Sequence, residues 1–223
     1  MGKCLILLAV LVSCSTPKNL VVFSKTSGFR HDSIPHGIEA IKNIGEELGY
    51  IVIATEDASA IIEESFDVLV FLNPTLDVLD IPQQERLQAF VENGGGFVGI
   101  HAAADCEYEF DWYCDTLLGA KFKFHREIKP LEVYVINDQH PSTRHLQDPW
   151  VRTDEWYNYD KTPEDVTILL EIEDSDGRRP IAWCSTIRRG RSFYTGGGHT
   201  KESYVEPQFL DHIRGGIEWV DQK

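Results

Sequence analysis

No run of apolar residues in this chain approaches the ~20 that a membrane-spanning helix needs; the stretch at 4–12 ends too soon to cross a bilayer. Basic residues are scarce, 21 Lys and Arg against 36 Asp and Glu for a net charge of −15. That balance argues against a nucleic-acid surface and against docking on anionic lipid. Cysteine is sparse as well, five in all with no CxxC spacing, which removes the zinc–thiolate and dithiol redox motifs. There is no internal repeat, no low-complexity tract and no Gly/Ser/Pro linker, so the 223 residues read as one folded domain. A globular composition of 42% hydrophobic and 26% charged residues and burial of roughly 70% of the unfolded surface at this size mean that folding requires neither metal nor disulfide.

At the N-terminus, Lys3 precedes the apolar run, the layout of a secretory signal. Leu11-Val12-Ser13-Cys14 resembles a bacterial lipobox, which implies cleavage before Cys14 and lipid on its thiol and amine. The expected organisation is a signal peptide at 1–13, a lipidated polar tether at 14–19 and a folded domain at 20–223. Ser15 stands where an inner-membrane retention signal carries Asp. The expected location is therefore the bacterial outer membrane, facing the periplasm or the cell surface, with the lipid anchor as the only membrane contact. Cys106, Cys114 and Cys184 remain; three thiols allow at most one disulfide, with Cys106–Cys114 the only local pair.

Strand-like apolar runs at 19–25, 50–55, 66–72 and 97–101 alternate with helical patterns. The first helix opens at Asp32 or Ser33 and carries Ile34, Ile38, Ile41, Ile44 and Leu48 at helical spacing; the next opens at Asp80-Ile81-Pro82. Such alternation predicts a parallel sheet with right-handed crossovers. Beyond His101 the pattern turns β-rich: a helix at 110–118, strands at 131–136, 167–172, 180–185 and 191–194, and a closing helix at 207–220.

Open parallel sheets bind ligands beyond the carboxyl ends of their strands, and three histidines fall at such ends: His31, His101 and His199. The segment Phe97-Val98-Gly99-Ile100-His101-Ala102-Ala103 has the small-residue pattern of a nucleophile elbow, yet its corner holds His101 instead of Ser or Cys. Covalent acyl transfer therefore lacks its nucleophile, while an imidazole can move a proton, bind a hydroxyl or ligate a metal. His125 closes the cluster at 119–125, and Asp105 follows the elbow. The run Asp154-Glu155-Trp156-Tyr157-Asn158-Tyr159 reads either as an exposed strand or as a sugar site of rings and carboxylates. Strand alternation would put Glu155, Tyr157 and Tyr159 on one face, with Glu155 and Tyr157 toward the cleft. Arg179 and Trp183 precede the hairpin that delivers Gly196-Gly197-Gly198-His199. Those glycines would let the backbone approach a ligand or simply turn the chain.

Taken in order, GFRH at 28–31, GGGFVGIHAAAD at 94–105, GAKFKFH at 119–125, HP at 140–141, DEWYNY at 154–159, RPIAW at 179–183 and GRSFYTGGGHT at 190–200 resemble the ThuA-like (trehalose utilisation) family. The resemblance implies a flavodoxin-like, class I glutamine amidotransferase-like α/β fold, a parallel sheet with helices on both faces and a β-rich second half. It also implies a link to oxidised (3-keto) glycosides and disaccharide catabolism. His101 stands where amidotransferases carry Cys, so glutaminase activity is not expected. His125-Arg126 departs from the His-Pro common among relatives.

The expected function is that of an exported carbohydrate enzyme, a hydrolase, lyase or isomerase on a glycoside or keto-sugar. His101, Glu155, His199 and His125 would be catalytic, and His31, Asp105, Tyr157, Arg179 and Trp183 would hold the small-molecule sugar. Glu155 or a histidine would serve as base, with Arg179 or a histidine-bound divalent metal as electrophile; the cofactor is otherwise open. The alternative is a glycan-binding lipoprotein without turnover, stacking sugar on Trp156, Tyr157 and Trp183.

Overall fold

Apolar strands with a buried residue at every position demand cover on both faces, and that demand organises this molecule. The computed structural model describes residues 17–222; the expected signal segment and Cys14 lie outside the described residues. The chain runs through β1 (Lys18–Phe23), α1 (Ile34–Glu47), β2 (Tyr50–Thr55), α2 (Ala60–Glu63), β3 (Val68–Leu72), α3 (Ile81–Glu92) and β4 (Gly96–Ile100). Then follow β5 (Phe122–His125), β6 (Lys129–Val135), β7 (Trp150–Asp154), β8 (Tyr157–Tyr159), β9 (Thr167–Asp174), β10 (Gly177–Ile187), β11 (Gly190–Thr195) and α4 (Pro207–Val220).

The main sheet has nine strands in the order β2-β1-β3-β4-β11-β10-β9-β6-β7. From β2 to β11 neighbours are parallel; from β11 to β7 they are antiparallel. Side chains alternate by strand period: Leu20, Val22, Val68, Val70, Val98 and Ile100 pack under α1 and α4. Val21, Phe23, Leu69, Phe71 and Phe97 pack under α3 and the segment Trp112–Leu118. Each such fully buried side chain contributes roughly 1.5–3 kcal/mol. The fold is the flavodoxin-like and amidotransferase-like α/β arrangement expected, with helices on both faces and an antiparallel extension built from the second half.

Local chemistry explains the boundaries, and it corrects several expectations. Asp80 caps α3 in a reciprocal box with Gln83. Ser33 precedes α1 but makes no side-chain cap; its hydroxyl lies 3.4 Å from the Gly198 carbonyl and accepts from Asn73 Nδ2 at 3.2 Å. The helix expected at 110–118 is Trp112–Leu118, wound as π-helix. The run at 154–159 is not one strand. The chain leaves the main sheet after β7 and enters a two-stranded sheet, β8 against β5, so alternation breaks at the corner. Trp156 joins the core on one side of the sheet and Tyr157 the core on the other. Among the described residues the three cysteines, Cys106, Cys114 and Cys184, are buried free thiols.

Candidate functional site

β4 and β11 lie side by side and parallel, Ile100 against Thr195, so the loops that leave their carboxyl ends emerge together. One begins with His101 and the other contains His199. The loop after β1 is pinned across the same edge by Ser27 N–H donating to the Thr75 carbonyl at 2.9 Å, which brings in His31. Glu155 enters from the corner between β7 and β8, and His125 from the end of β5.

His101 occupies the elbow with φ +47°, a conformation that costs a β-carbon-bearing residue energy and that clusters at functional sites. Its imidazole is fully buried. Nδ1–H donates to the Gly196 carbonyl at 2.9 Å, since a carbonyl can only accept; Nε2 is left facing His199 Nδ1 at 3.2 Å and Glu155 Oε2 at 3.5 Å. His199 Nδ1 lies 3.3 Å from the same Glu155 oxygen. The other oxygen of Glu155 meets His125 Nδ1 at 3.0 Å, a nitrogen that also lies 2.9 Å from the Arg126 carbonyl. His31 sits edge-on to both, ring centroids 5.1 Å from His101 and 4.9 Å from His199. One donor atom from each of His31, His101, His199 and Glu155 falls within 4.8 Å of the others, a set able to hold a metal ion.

The electrostatics follow from burial and proximity. Burial favours the neutral acid of Glu155, but the imidazoles of His101 and His199 beside it outweigh that and hold the carboxyl well below the usual carboxylate range. Burial also opposes charge on His199, yet Glu155 prevails and raises its pKa. His31, buried and beside two imidazoles, is pushed down to about 3. Burial raises the Asp105 carboxyl against the hydrogen bond it accepts from the Tyr108 hydroxyl at 2.6 Å.

Above this floor opens a cavity of about 320 Å³ lined by Phe29, His31, Asp105, Phe122, His125, Glu155, Tyr157 and His199. Larger hollows lie between α1 and α4 and beside Trp112, but neither gathers imidazoles at strand ends. Tyr157 forms a wall, its ring 4.2 Å from both the His101 and Phe122 centroids. Of the residues expected here, His31, Asp105, His125, Glu155, Tyr157 and His199 line the cavity and His101 lies beneath it.

Arg179 and Trp183 do not reach it. Arg179 bonds the Asp174 carboxylate at 2.8 Å and the Tyr157 carbonyl at 3.0 Å, so it braces β8 from behind. The Trp183 indole donates to the Leu118 carbonyl at 2.6 Å inside the core. Trp156 is likewise buried and bonded to the Lys129 carbonyl, so neither indole offers a stacking face. Arg179 therefore cannot serve as the electrophile. The glycine run also has its reason inside the protein. A β-carbon at Gly197 would meet Arg152 Nη1 at 2.3 Å, and Gly198 adopts φ +111°.

Phe29 and Phe122 line the cavity beside histidines that the sequence singled out, and that adjacency was their only signal. Asp154 went unassigned because its role is tertiary. Fully buried, it accepts the backbone N–H of Gly198 at 2.8 Å and of His199 at 3.1 Å. Arg152 neutralises it at 3.0 Å and reaches Glu206 with its other edge, also at 3.0 Å.

The family model described as ThuA, trehalose utilisation, matches residues 19–220. No curated protein matches the sequence. Among solved structures, a ThuA-like protein of Bacteroides uniformis is similar at TM-score 0.75 and 23% identity, covering 92% of this chain and 91% of that one. One from Parabacteroides merdae gives 0.73 at 17%, covering 93% and 91%. The β-galactosidase of Rahnella sp. R3 matches at 0.64 and 13%, covering 91% of this chain but 31% of its own. At these identities the likeness is one of fold.

Proposed function

The chain belongs to the ThuA family, and from that premise we propose that it is an enzyme acting on a glycoside or keto-sugar of the 3-keto-disaccharide type. The observation that carries this reading is the convergence of three imidazoles and one carboxylate, from separate loops, on a buried floor beneath an open cavity. The volume, about 320 Å³, sits at the small end of the ~300–1,000 Å³ of ligand pockets and suits a single sugar unit.

Abstraction of a proton beside a carbonyl needs an electrophile at the oxygen and a base at the carbon. The electrophilic end falls to the floor, where His31, His101, His199 and Glu155 form a set able to hold a metal ion. His125 supplies the base: with its Nδ1 directed at Glu155 and the Arg126 carbonyl, Nε2 is left to take the proton. Asp105, whose pKa burial raises, lines the same cavity as a second acid–base group, and the proton taken by His125 is returned to the oxygen that leaves or to the carbon that is reset. Tyr157 and Phe122 present rings to the apolar face of the sugar. The glycan-binding alternative is weakened because Trp156 and Trp183 are buried and bonded elsewhere.

We also propose export as a lipoprotein anchored at Cys14 in the outer membrane, on the lipobox resemblance of Leu11 to Cys14.

The test is turnover by the purified protein of 3-keto-glycosides beside their unoxidised parents. Conversion of the keto forms, abolished in a folded His125→Gln variant, is the expected result. Saturable sugar binding without conversion across the panel would replace this reading with the binding one.

A further inference from the structure

Buried polar groups need partners, and the floor of the cavity holds more acceptors than donors. His101 Nδ1–H is committed to the Gly196 carbonyl, so Nε2 presents a lone pair to the cluster. Glu155 Oε2 presents another acceptor 3.5 Å away. His199 Nδ1 stands 3.2 Å from the first and 3.3 Å from the second, and a single N–H there can satisfy only one fully. His31 is 95% buried, and its Nδ1 has no hydrogen-bond partner. One donor atom from each of the four residues falls within 4.8 Å of the others, so a cation placed among them would be shared by all four.

We propose that His31, His101, His199 and Glu155 bind one divalent first-row transition-metal ion at the floor of the cavity. The proposal rests on the reading above and names the electrophile of that same site. The spacing supports it. An ion with N and O ligands at ~2.1 Å sets its donors roughly 3.0–3.4 Å apart, depending on octahedral or tetrahedral geometry. The His101, His199 and Glu155 donors form a triangle with sides of 3.2, 3.3 and 3.5 Å. Two imidazoles and one carboxylate on one face, with His31 as a fourth donor, is a nitrogen-rich set that suits Zn²⁺, Fe²⁺ or Mn²⁺ and not Ca²⁺ or Mg²⁺.

The support around the ligands has the form metal sites use. A ligating histidine donates its other N–H to a carbonyl or carboxylate, which fixes tautomer and ring orientation; His101 does so to Gly196. The backbone of His199 is held by the Asp154 carboxylate. The cavity side of the cluster stays open, so sugar oxygens could complete the coordination.

The purified chain, stripped with a chelator, is titrated with Zn²⁺, Mn²⁺ and Co²⁺ by calorimetry, and bound metal is counted by elemental mass spectrometry. One ion per chain is expected for at least one metal, with affinity lowered roughly 100-fold in His199→Gln and in Glu155→Gln. His36→Gln, on the exposed outer face of α1, leaves affinity unchanged. The Gln variants keep side-chain bulk, and metal-free melting curves confirm that they fold. Should one not fold, the other and His31→Gln decide. Absence of a stoichiometric ion, or equal affinity in wild type and folded variants, overturns the proposal. So does full turnover of keto-glycosides by the metal-free protein, although the reading of function would then survive. Stoichiometric, residue-dependent binding without any turnover upholds this proposal while that reading falls.

Discussion

The carboxylate of Asp154 accepts the backbone N–H of His199 at 3.1 Å while its other oxygen takes that of Gly198 at 2.8 Å. A residue at the last position of β7 thus sets the place of an imidazole that follows β11, two strands on opposite sides of β10, β9 and β6 in the sheet order. Asp154→Asn preserves shape but can accept with only one oxygen, and it leaves Arg152 facing Glu206 alone. The expected cost is about 3 kcal/mol in chemical denaturation, the low end for breaking a buried pair because Glu206 remains. Metal affinity should fall roughly 10–100-fold, as for other groups that orient ligands. Unchanged affinity in the folded variant would show that Asp154 only stabilises.

Acid should destabilise the fold before the carboxylates titrate. Burial pushes His140 down to about 4 and His212 to about 3, and His31 also lies at about 3. Between the unfolded value near 6.5 and those folded values, the unfolded chain takes protons that the folded chain refuses. Stability is therefore full above pH ~6.5 and falls as pH drops through that window. His199, raised by Glu155 despite its burial, acts with the opposite sign, but burial lowers His145 as well, so it is one group against four. Denaturation in metal-free buffer should show a loss on the order of 2–4 kcal/mol between pH 7 and 5. A flat profile there would contradict the buried neutral histidines.

None of the three thiols in the fold should take part in turnover. Burial raises all of them, Cys114 to about 11 and Cys184 to about 12, with Cys106 well above its usual value. Each lies in the core, away from the cavity lining. Thiol reagents should leave the native protein unmodified and label all three on unfolding. Single Cys→Ala variants should keep turnover; its loss in a folded one would reassign the chemistry.

Expressed in a Gram-negative host, the chain should carry lipid on Cys14. Mass spectrometry of the membrane fraction is expected to find an acylated N-terminal Cys14, and Cys14→Ser should release the protein from the membrane. An unlipidated N-terminus upstream of Cys14 in exported protein would exclude the anchor.

Much of this molecule is legible from residue order because local patterns encode backbone geometry and burial. Apolar runs at 66–72 and 97–101 read as strands; β3 lies inside the first, and β4 matches the second to within one residue at each end. The isoleucines of α1 mark its buried stripe, and Asp80 with Pro82 marks the start of α3. His31, His101 and His199 each follow such a strand, so their position at the ligand edge of the sheet could be argued before any contact was known.

Strand order could not. Nothing local to 190–195 says that β11 pairs parallel to β4, yet that pairing alone sets Ile100 beside Thr195 and brings His199 to His101. The break at Glu155 and Trp156 was hidden for a related reason: a period of two describes one sheet, and the chain there passes between two. Arg179 and Trp183 are polar and aromatic in the right neighbourhood of the sequence, but their partners, Asp174 and the Leu118 carbonyl, draw them away from the cavity. Sequence by itself determined most of the helices and the parallel strands, and which residues are candidates for chemistry, because dihedral preference and burial act over a few residues. The tertiary structure decided which of those residues meet, because that depends on pairings between strands far apart in the chain.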